Sequence, residues 1–377
     1  MRLRARADRR EARRCRSRAA VVVALVAAAG CSGNTHSATS SAGQAAAGAP
    51  QPTRAPYLRM VDADNGWAVW PSGTSWLVLH TTDGWQHVQN ATPAAVPTEG
   101  GLALGIGPDG SAAVAVEPYG RLLTSPLLVR TGPQTQWSPA ELPGPVADSR
   151  QAVALSPNGT TVVLAGGTVV RSDNKGWRTI TAATSLAPAG QLRLDAVAWA
   201  DGSLGWLTGH GVKGAPVAVQ TTDGGRSWTP VDALIGSAVA ALAPCGSGRS
   251  WLLPVIAADH RITVERTSDG GASWSAGGSF AGPSGIPVWG CQGAEVWMLD
   301  DAGHVLASAD SGATWSDQGK APAGLTDLAP TSTDAGFAAS GDARHPQLWA
   351  VSQGGADFAR VALPAWVSAL GAGQSTS

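Results

Sequence analysis

The chain lacks an apolar run that would make a comfortable membrane span. "AAVVVALVAAAG" at 19–30 is 12 residues long, and a span needs about 20. Tyrosine is nearly missing, with only Tyr57 and Tyr119 in 377 residues. Cysteine is scarce, with four in all. No stretch after the N-terminal run shows sustained 3.6-residue periodicity, which excludes a helical domain. Positive charge is missing where it would matter. Residues 1–30 hold nine arginines, one Asp and one Glu, which leaves 17 basic and 25 acidic residues beyond them, a net of −8. That balance argues against nucleic acid or anionic headgroups as partners.

The arginines open a secretory signal. A basic stretch, a short apolar run and small residues before a cleavage point are its three parts. The run ends in "AAGCSG", which resembles a bacterial lipobox, although Ala28 stands where leucine is usual. That resemblance implies cleavage after Gly30 and lipidation of Cys31. "RRCRSR" lacks the apolar residues that follow a twin-arginine pair. Residues 31–56 are Ser, Ala, Gly, Thr and Pro with almost nothing bulky and apolar, and read as a flexible tether. The expected organisation is a signal at 1–30, lipidated Cys31 and linker to 56, a folded body over 57–370 and a tail at 371–377.

The body repeats. "TTDGGRSWTP" begins at 221, "TSDGGASWSA" at 267 and "SADSGATWSD" at 308. Each places Trp five residues after Asp: Asp223 and Trp228, Asp269 and Trp274, Asp310 and Trp315. Weaker copies are anchored at 83, 132, 173 and 353, with Val88, Trp137, Trp177 and Phe358 at or beside the aromatic slot. The mean period is about 45 residues, the range of propeller blades. A second landmark keeps phase: Gly66-Trp67, Gly205-Trp206, Ser250-Trp251, Val296-Trp297 and Gly336-Phe337 open short apolar runs before the anchors. With turn signals such as "DNG", "PDG" and "ADG", each unit reads as four short strands. The fold class expected is all-β, a seven-bladed β-propeller of four-stranded antiparallel blades. "AWVSALGA" near the C-terminus is expected to form one more inner strand.

"T-x-D-G-G-x-S-W" resembles the Asp-box, or BNR repeat, of sialidase-like propellers. The pairing of "NGWAVW" or "LGWLTG" with a later box is similar to photosystem II assembly-factor propellers. The resemblance implies that the boxes are structural turns on the face opposite the ligand pocket. Residue chemistry agrees: Asp accepts backbone N–H groups at a turn, glycine supplies positive φ, and Trp packs on the sheet. A sialidase site would also need three arginines, a Tyr–Glu pair and an Asp. Arg59, Arg193, and Tyr119 with Glu117 and Arg121 are fragments of such a set, so a glycoside hydrolase is the competing reading and no catalytic residue is assigned.

Loops joining second and third strands lie on the other face. They carry His210, Asp259 with His260, Asp300 and Asp301 with His304, and Asp342 with His345. These are candidate ligand-binding residues, without the tight spacing of a metal site, and no cofactor is expected. Cys245 and Cys291 each precede a second-strand Trp by six residues (251 and 297), so they occupy equivalent places in neighbouring units and are expected to form a disulfide. The expected protein is a monomeric, membrane-anchored, extracytoplasmic binding or scaffolding propeller for a protein or polysaccharide partner. Acyl labelling provides a check on the anchor. Cys31→Ser should abolish incorporation of labelled palmitate and move the protein from the membrane to the soluble fraction.

Overall fold

A computed structural model describes residues 55–72, 75–94, 102–107, 110–116, 127–130, 136–143, 152–155, 161–165, 168–173, 176–182, 193–211, 215–231, 238–242, 244–282 and 287–367. The signal, Cys31 and most of the linker lie outside them, as do Tyr119 and the tail. The described residues all belong to one compact unit, Pro50–Ser377.

The fold is an all-β propeller of antiparallel sheets, each made from one continuous stretch of chain. In the first sheet Tyr57–Met60, Asn65–Ser72, Ser75–Thr82 and Gln89–Asn90 pair in that order. The same meander recurs over 102–139, 152–182, 193–230, 289–320 and 325–361. Over 238–281 the pattern departs from it. There the inner strand is split into Ala238–Ala241 and Cys245–Ser247, and both pieces pair with Ser250–Ala257. The expectation of seven four-stranded blades is therefore corrected: six sheets are four-stranded blades, and the remaining sheet has five strands. The cause is local. Pro244 has no N–H to give its neighbour. Three residues, 242–244, face two, 253–254, so the ladder bulges and breaks.

Burial follows position across each sheet. Second strands are covered on both sides by neighbouring sheets, so Ala112–Val116 and Gly336–Ser340 are buried at every residue. This is why they read as continuous apolar runs rather than alternating ones. Fourth strands such as Gln89–Asn90 and Thr229–Pro230 are two residues long and exposed. The aromatic slot of each repeat packs into the seam with the preceding sheet. Trp137 joins the cluster of Val69, Val78, Leu102 and Val114. Trp177, Trp228, Trp274, Trp315 and Phe358 do the same at the next five seams. Val88 packs at the seam between the first and last sheets, with Leu58, Trp70, Phe337 and Leu348. The slot thus sets the seam, and a large aromatic face is what fills it.

The first and last sheets meet directly, so no strand is exchanged to close the ring. Leu58 N donates to Asp327 Oδ2 at 2.6 Å, and Thr326 Oγ1 donates to Pro56 O at 2.8 Å. Of "AWVSALGA" only the first three residues are described, and they are not a strand. Residues 365–367 form a helical turn after Pro364, with Val367 N donating to Pro364 O at 3.0 Å, and Val367 is buried against the first sheet. A strand there would need an unpaired inner edge, and the inner strands Tyr57–Met60 and Leu325–Pro330 already pack against each other.

One inner-strand glycine tests this packing. At Gly290 an added Cβ would collide with the Leu328 carbonyl oxygen of the next sheet. Because the obstacle is backbone, it cannot rotate away. Gly290→Ala is expected to cost about 2 kcal/mol or more, read as a lower denaturant midpoint with an unchanged far-ultraviolet spectrum.

Candidate binding site

The Asp-boxes come first, because their carboxylates are the most conspicuous in the sequence. Thr221 Oγ1 donates to Asp223 Oδ1 at 2.9 Å and accepts Gly225 N at 2.8 Å. Asp223 Oδ1 accepts Arg226 N and Ser227 N, both at 2.9 Å, and Oδ2 accepts Ser227 Oγ at 2.7 Å. Asp269 repeats this with Thr267 and Ser273, and Asp310 with Ser308 and Thr314. The Ser227 hydroxyl, then its N–H, holds Asp223 down at about 2. Burial opposes the shift at Asp310, but bonds from Thr314 outweigh it, again to about 2. Asp269 is lowered chiefly by Ser273. These carboxylates are ionised, saturated and committed to their own turns.

Asp83 builds the same turn from a weaker sequence. Trp85 N donates to Thr81 Oγ1 at 2.9 Å, and His87 N to Asp83 Oδ1 at 2.8 Å. Trp85 takes the left-handed place of the second glycine, φ +68°, where Gly225 has +83°. All of these turns are hooked to the turn between first and second strands. Gly84 N, Gly224 N, Gly270 N and Ser311 N donate to the carbonyls of Asp64, Ser203, Arg249 and Ala294 at 2.8–3.0 Å.

On the opposite face, the predicted histidines and acids do not converge. Asp259 Oδ1 accepts Arg261 N at 3.1 Å beside His260. Asp300 Oδ1 accepts Ala302 N and His304 N at 2.9 and 2.8 Å. Asp342 Oδ1 accepts Arg344 N and His345 N at 2.8 and 3.0 Å. Asp301 uses its own N–H on Ala281 O. Asp259, Asp300 and Asp342 thus each shape their own hairpin. His304 Nδ1 lies 2.8 Å from Asp317 Oδ2, and this hydrogen bond raises its pKa. Among the described residues no three His, Cys, Asp or Glu side chains gather as a metal site.

His210 is placed differently. Its Nδ1 lies 2.5 Å from Asp195 Oδ2, and Asp195 lines a central cavity. This cavity has a volume of about 530 Å³ and is walled by the inner strands. Tyr57, Arg59, Asp195, Trp289, Gln292 and Asp327 give it polar and aromatic groups. Tyr57 Oη donates to Leu102 O at 2.8 Å, and the Arg59 guanidinium sits 5.1 Å from the Tyr57 ring. Arg59 is half exposed and lies 3.4 Å from Asp327. The Arg193 side chain and Tyr119 lie outside the description.

Cys245 and Cys291 form a disulfide in the same wall, with Cα atoms 6.2 Å apart. Sequence reasoning missed Asp195 and Asp327. Each is one acid within an inner-strand run, and only the ring brings it to a partner. The volume and the few polar groups on an apolar wall suit a ligand pocket.

No family model and no curated protein matches the chain. Solved structures do. One titled "YCF48 bound to D1 peptide" superposes with a TM-score of 0.51 at 18% identity, covering 81% of this chain and 93% of its own. YCF48 from Cyanidioschyzon merolae gives 0.51 at 17%, covering 81% and 95%. The SapL1 lectin with alpha methyl fucoside gives 0.43 at 14%, covering 70% and 96%. At these identities the likeness shows the fold alone: the chain is a β-propeller.

Asp327 makes the site sensitive to pH. Burial raises its pKa to about 6, against the pull of Arg59 and the Leu58 N–H. The native state therefore holds a proton that the unfolded chain, near 3.8, has released. Stability should fall as pH rises from about 4 to about 6, by up to roughly 3 kcal/mol from this group. Asp327→Asn keeps an acceptor for Leu58 N. In urea titrations across that window, the difference between variant and parent should grow with pH in the variant's favour. A constant difference would contradict the assignment.

Proposed function

We propose that the protein is a non-catalytic binding propeller of the cell envelope. It is anchored through lipidated Cys31, past a signal at 1–30 and a flexible tether, and holds a partner over the central cavity. The observation that carries this reading is the central cavity walled by the inner strands. Asp223, Asp269 and Asp310 accept on both oxygens within their own turns, and Asp259, Asp300 and Asp342 accept backbone N–H groups of theirs on Oδ1. The inner-strand cavity is open to a ligand, with Arg59, Tyr57 and Trp289 on its wall.

A protein partner presenting an extended segment fits this cavity best. The wall offers one half-exposed guanidinium, aromatic faces and apolar strand residues, which read a peptide by charge and shape. The YCF48 likeness supports that choice, since a solved YCF48 carries a D1 peptide. In this reading the role is to hold a membrane complex, or part of one, in place at the envelope. A polysaccharide partner is the other binding form of the same proposal.

The experiment compares two crosslinking positions in cells. A photoreactive residue replaces Arg59 in the cavity or exposed Ala272 in an Asp-box turn. Adducts are expected from the first position and not from the second. Adducts from Ala272 alone would move the binding face and sink the reading. A panel of fluorogenic glycosides, sialosides included, should show no turnover. Turnover lost on Arg59→Ala would make the protein a glycosidase instead.

A further inference from the structure

A second cavity lies away from the central one, at the seam between the first and last sheets. Its volume is about 590 Å³. The end of Asn65–Ser72 supplies Trp70 and Pro71, Gln347–Ser352 supplies Leu348, and the segment after Asp357–Val361 supplies Leu363 and Val367. This is an apolar floor. The rim carries two guanidiniums and an imidazole: Arg344, Arg360 and His345 line the cavity, and all three are exposed. Among the described residues no carboxylate lines it, on a body whose net charge beyond residue 30 is −8. Two guanidiniums and an imidazole donor around an apolar pocket in an acidic protein is an arrangement that turn chemistry does not require.

The nearest acid, Asp342, reaches the imidazole of the rim. Asp342 takes the N–H groups of Arg344 and His345, and its Oδ1 stays 3.7 Å from His345 Nδ1. Both rim charges lower its pKa, after the two N–H bonds, so it feels them without closing the site. Among the described residues neither guanidinium has a carboxylate within ion-pair distance. Arg360 lies over the Trp349 ring at 6.0 Å, and Trp349 Nε1 is tied to Ser340 Oγ at 2.8 Å. Stacking of this kind orients the guanidinium before a ligand arrives.

We propose that this seam cavity binds an amphipathic anion: a carboxylate or phosphate carrying an aliphatic or aromatic body. The anionic head is held by Arg344, Arg360 and His345 in charge-assisted hydrogen bonds. The body lies on Trp70, Leu348, Leu363 and Val367, where burial of apolar surface drives binding. The ligand spans the two ends of the ring, touching the first sheet through Trp70 and the last through Leu348. Binding therefore couples to closure of the ring and stabilises the folded chain by mass action.

The test uses the full chain carrying Cys31→Ser, so that no acyl group competes. Octanoate, octyl phosphate and octanol are titrated calorimetrically, with the melting temperature followed in parallel. One site per chain is expected for octanoate or octyl phosphate, with a higher melting temperature, and octanol at least about tenfold weaker. The tighter of the two anions tells a carboxylate source from a phosphate source. Arg344→Ala with Arg360→Ala should lower the affinity at least about tenfold without moving the melting temperature of the ligand-free protein. Arg226→Ala, on the Asp-box face, should change nothing. Equal binding of octanol, or undiminished binding by the double variant, would overturn the proposal. The double variant leaves the central-cavity wall unchanged, so its outcome is independent of the central-cavity reading.

Discussion

A single carboxylate, that of Asp327, holds the two ends of the fold together. Each sheet is a local meander, so no strand crosses from the last sheet into the first. Continuity there rests on side chains, on the Leu58 N–H directed at Asp327, and on the Thr326 hydroxyl at Pro56. The arrangement answers a general problem of radial sheets. An inner strand's outward N–H groups face a neighbour with which it does not pair, and a buried donor must find an acceptor. Asp327 supplies one, at the expense of desolvating a charge. The half-exposed Arg59 beside it offsets part of that cost.

Elsewhere the same economy is handled by backbone. In the turns at 83, 223, 269 and 310 the N–H just after the box Asp reaches the preceding hairpin's carbonyl. The carboxylate then gathers the N–H groups further along, and the residue five places on (Val88 in the first turn, Trp228, Trp274 and Trp315 in the others) drops into the seam. A box is thus a connector between two turns of one sheet and the preceding sheet's wall. Its aspartates are strongly perturbed acids whose perturbation comes from local hydrogen bonds. That is why a low pKa in this protein marks structure rather than catalysis.

Much of this was legible in the residues themselves. The period, the all-β class and the turn role of Asp223, Asp269 and Asp310 all follow from spacing and turn chemistry. So does the pairing of Cys245 with Cys291, since equivalent positions on adjacent repeats come close in a ring. The uniform four-strand count was not legible, because it depends on what one proline does to one ladder: Pro244 sits in an apolar run that otherwise reads as strand. Asp83 looked degenerate because Trp85 replaces a glycine in the left-handed position, and His87 replaces the usual hydroxyl. Asp259, Asp300 and Asp342 read as ligands by type, but each accepts N–H groups two to four residues away in its own hairpin. Asp195 and Asp327 were hidden for the opposite reason. Their partners, His210 and Leu58, are set by a strand register and by ring closure, and neither shows in a local window.

The Cys245–Cys291 bond has a mechanical meaning for the ring as a whole. It fastens one seam covalently, between the split-strand sheet and its successor. The seam where the chain begins and ends has only packing and a few hydrogen bonds. A ring opens at its weakest joint, and here that joint is assigned by covalent chemistry on one side and chain topology on the other. Thermal breathing is steered toward the Trp70–Leu348 boundary. The disulfide lies one sheet away from the closing seam, so the 325–361 sheet is flanked by a covalently fastened neighbour on one side and by the non-covalent joint on the other.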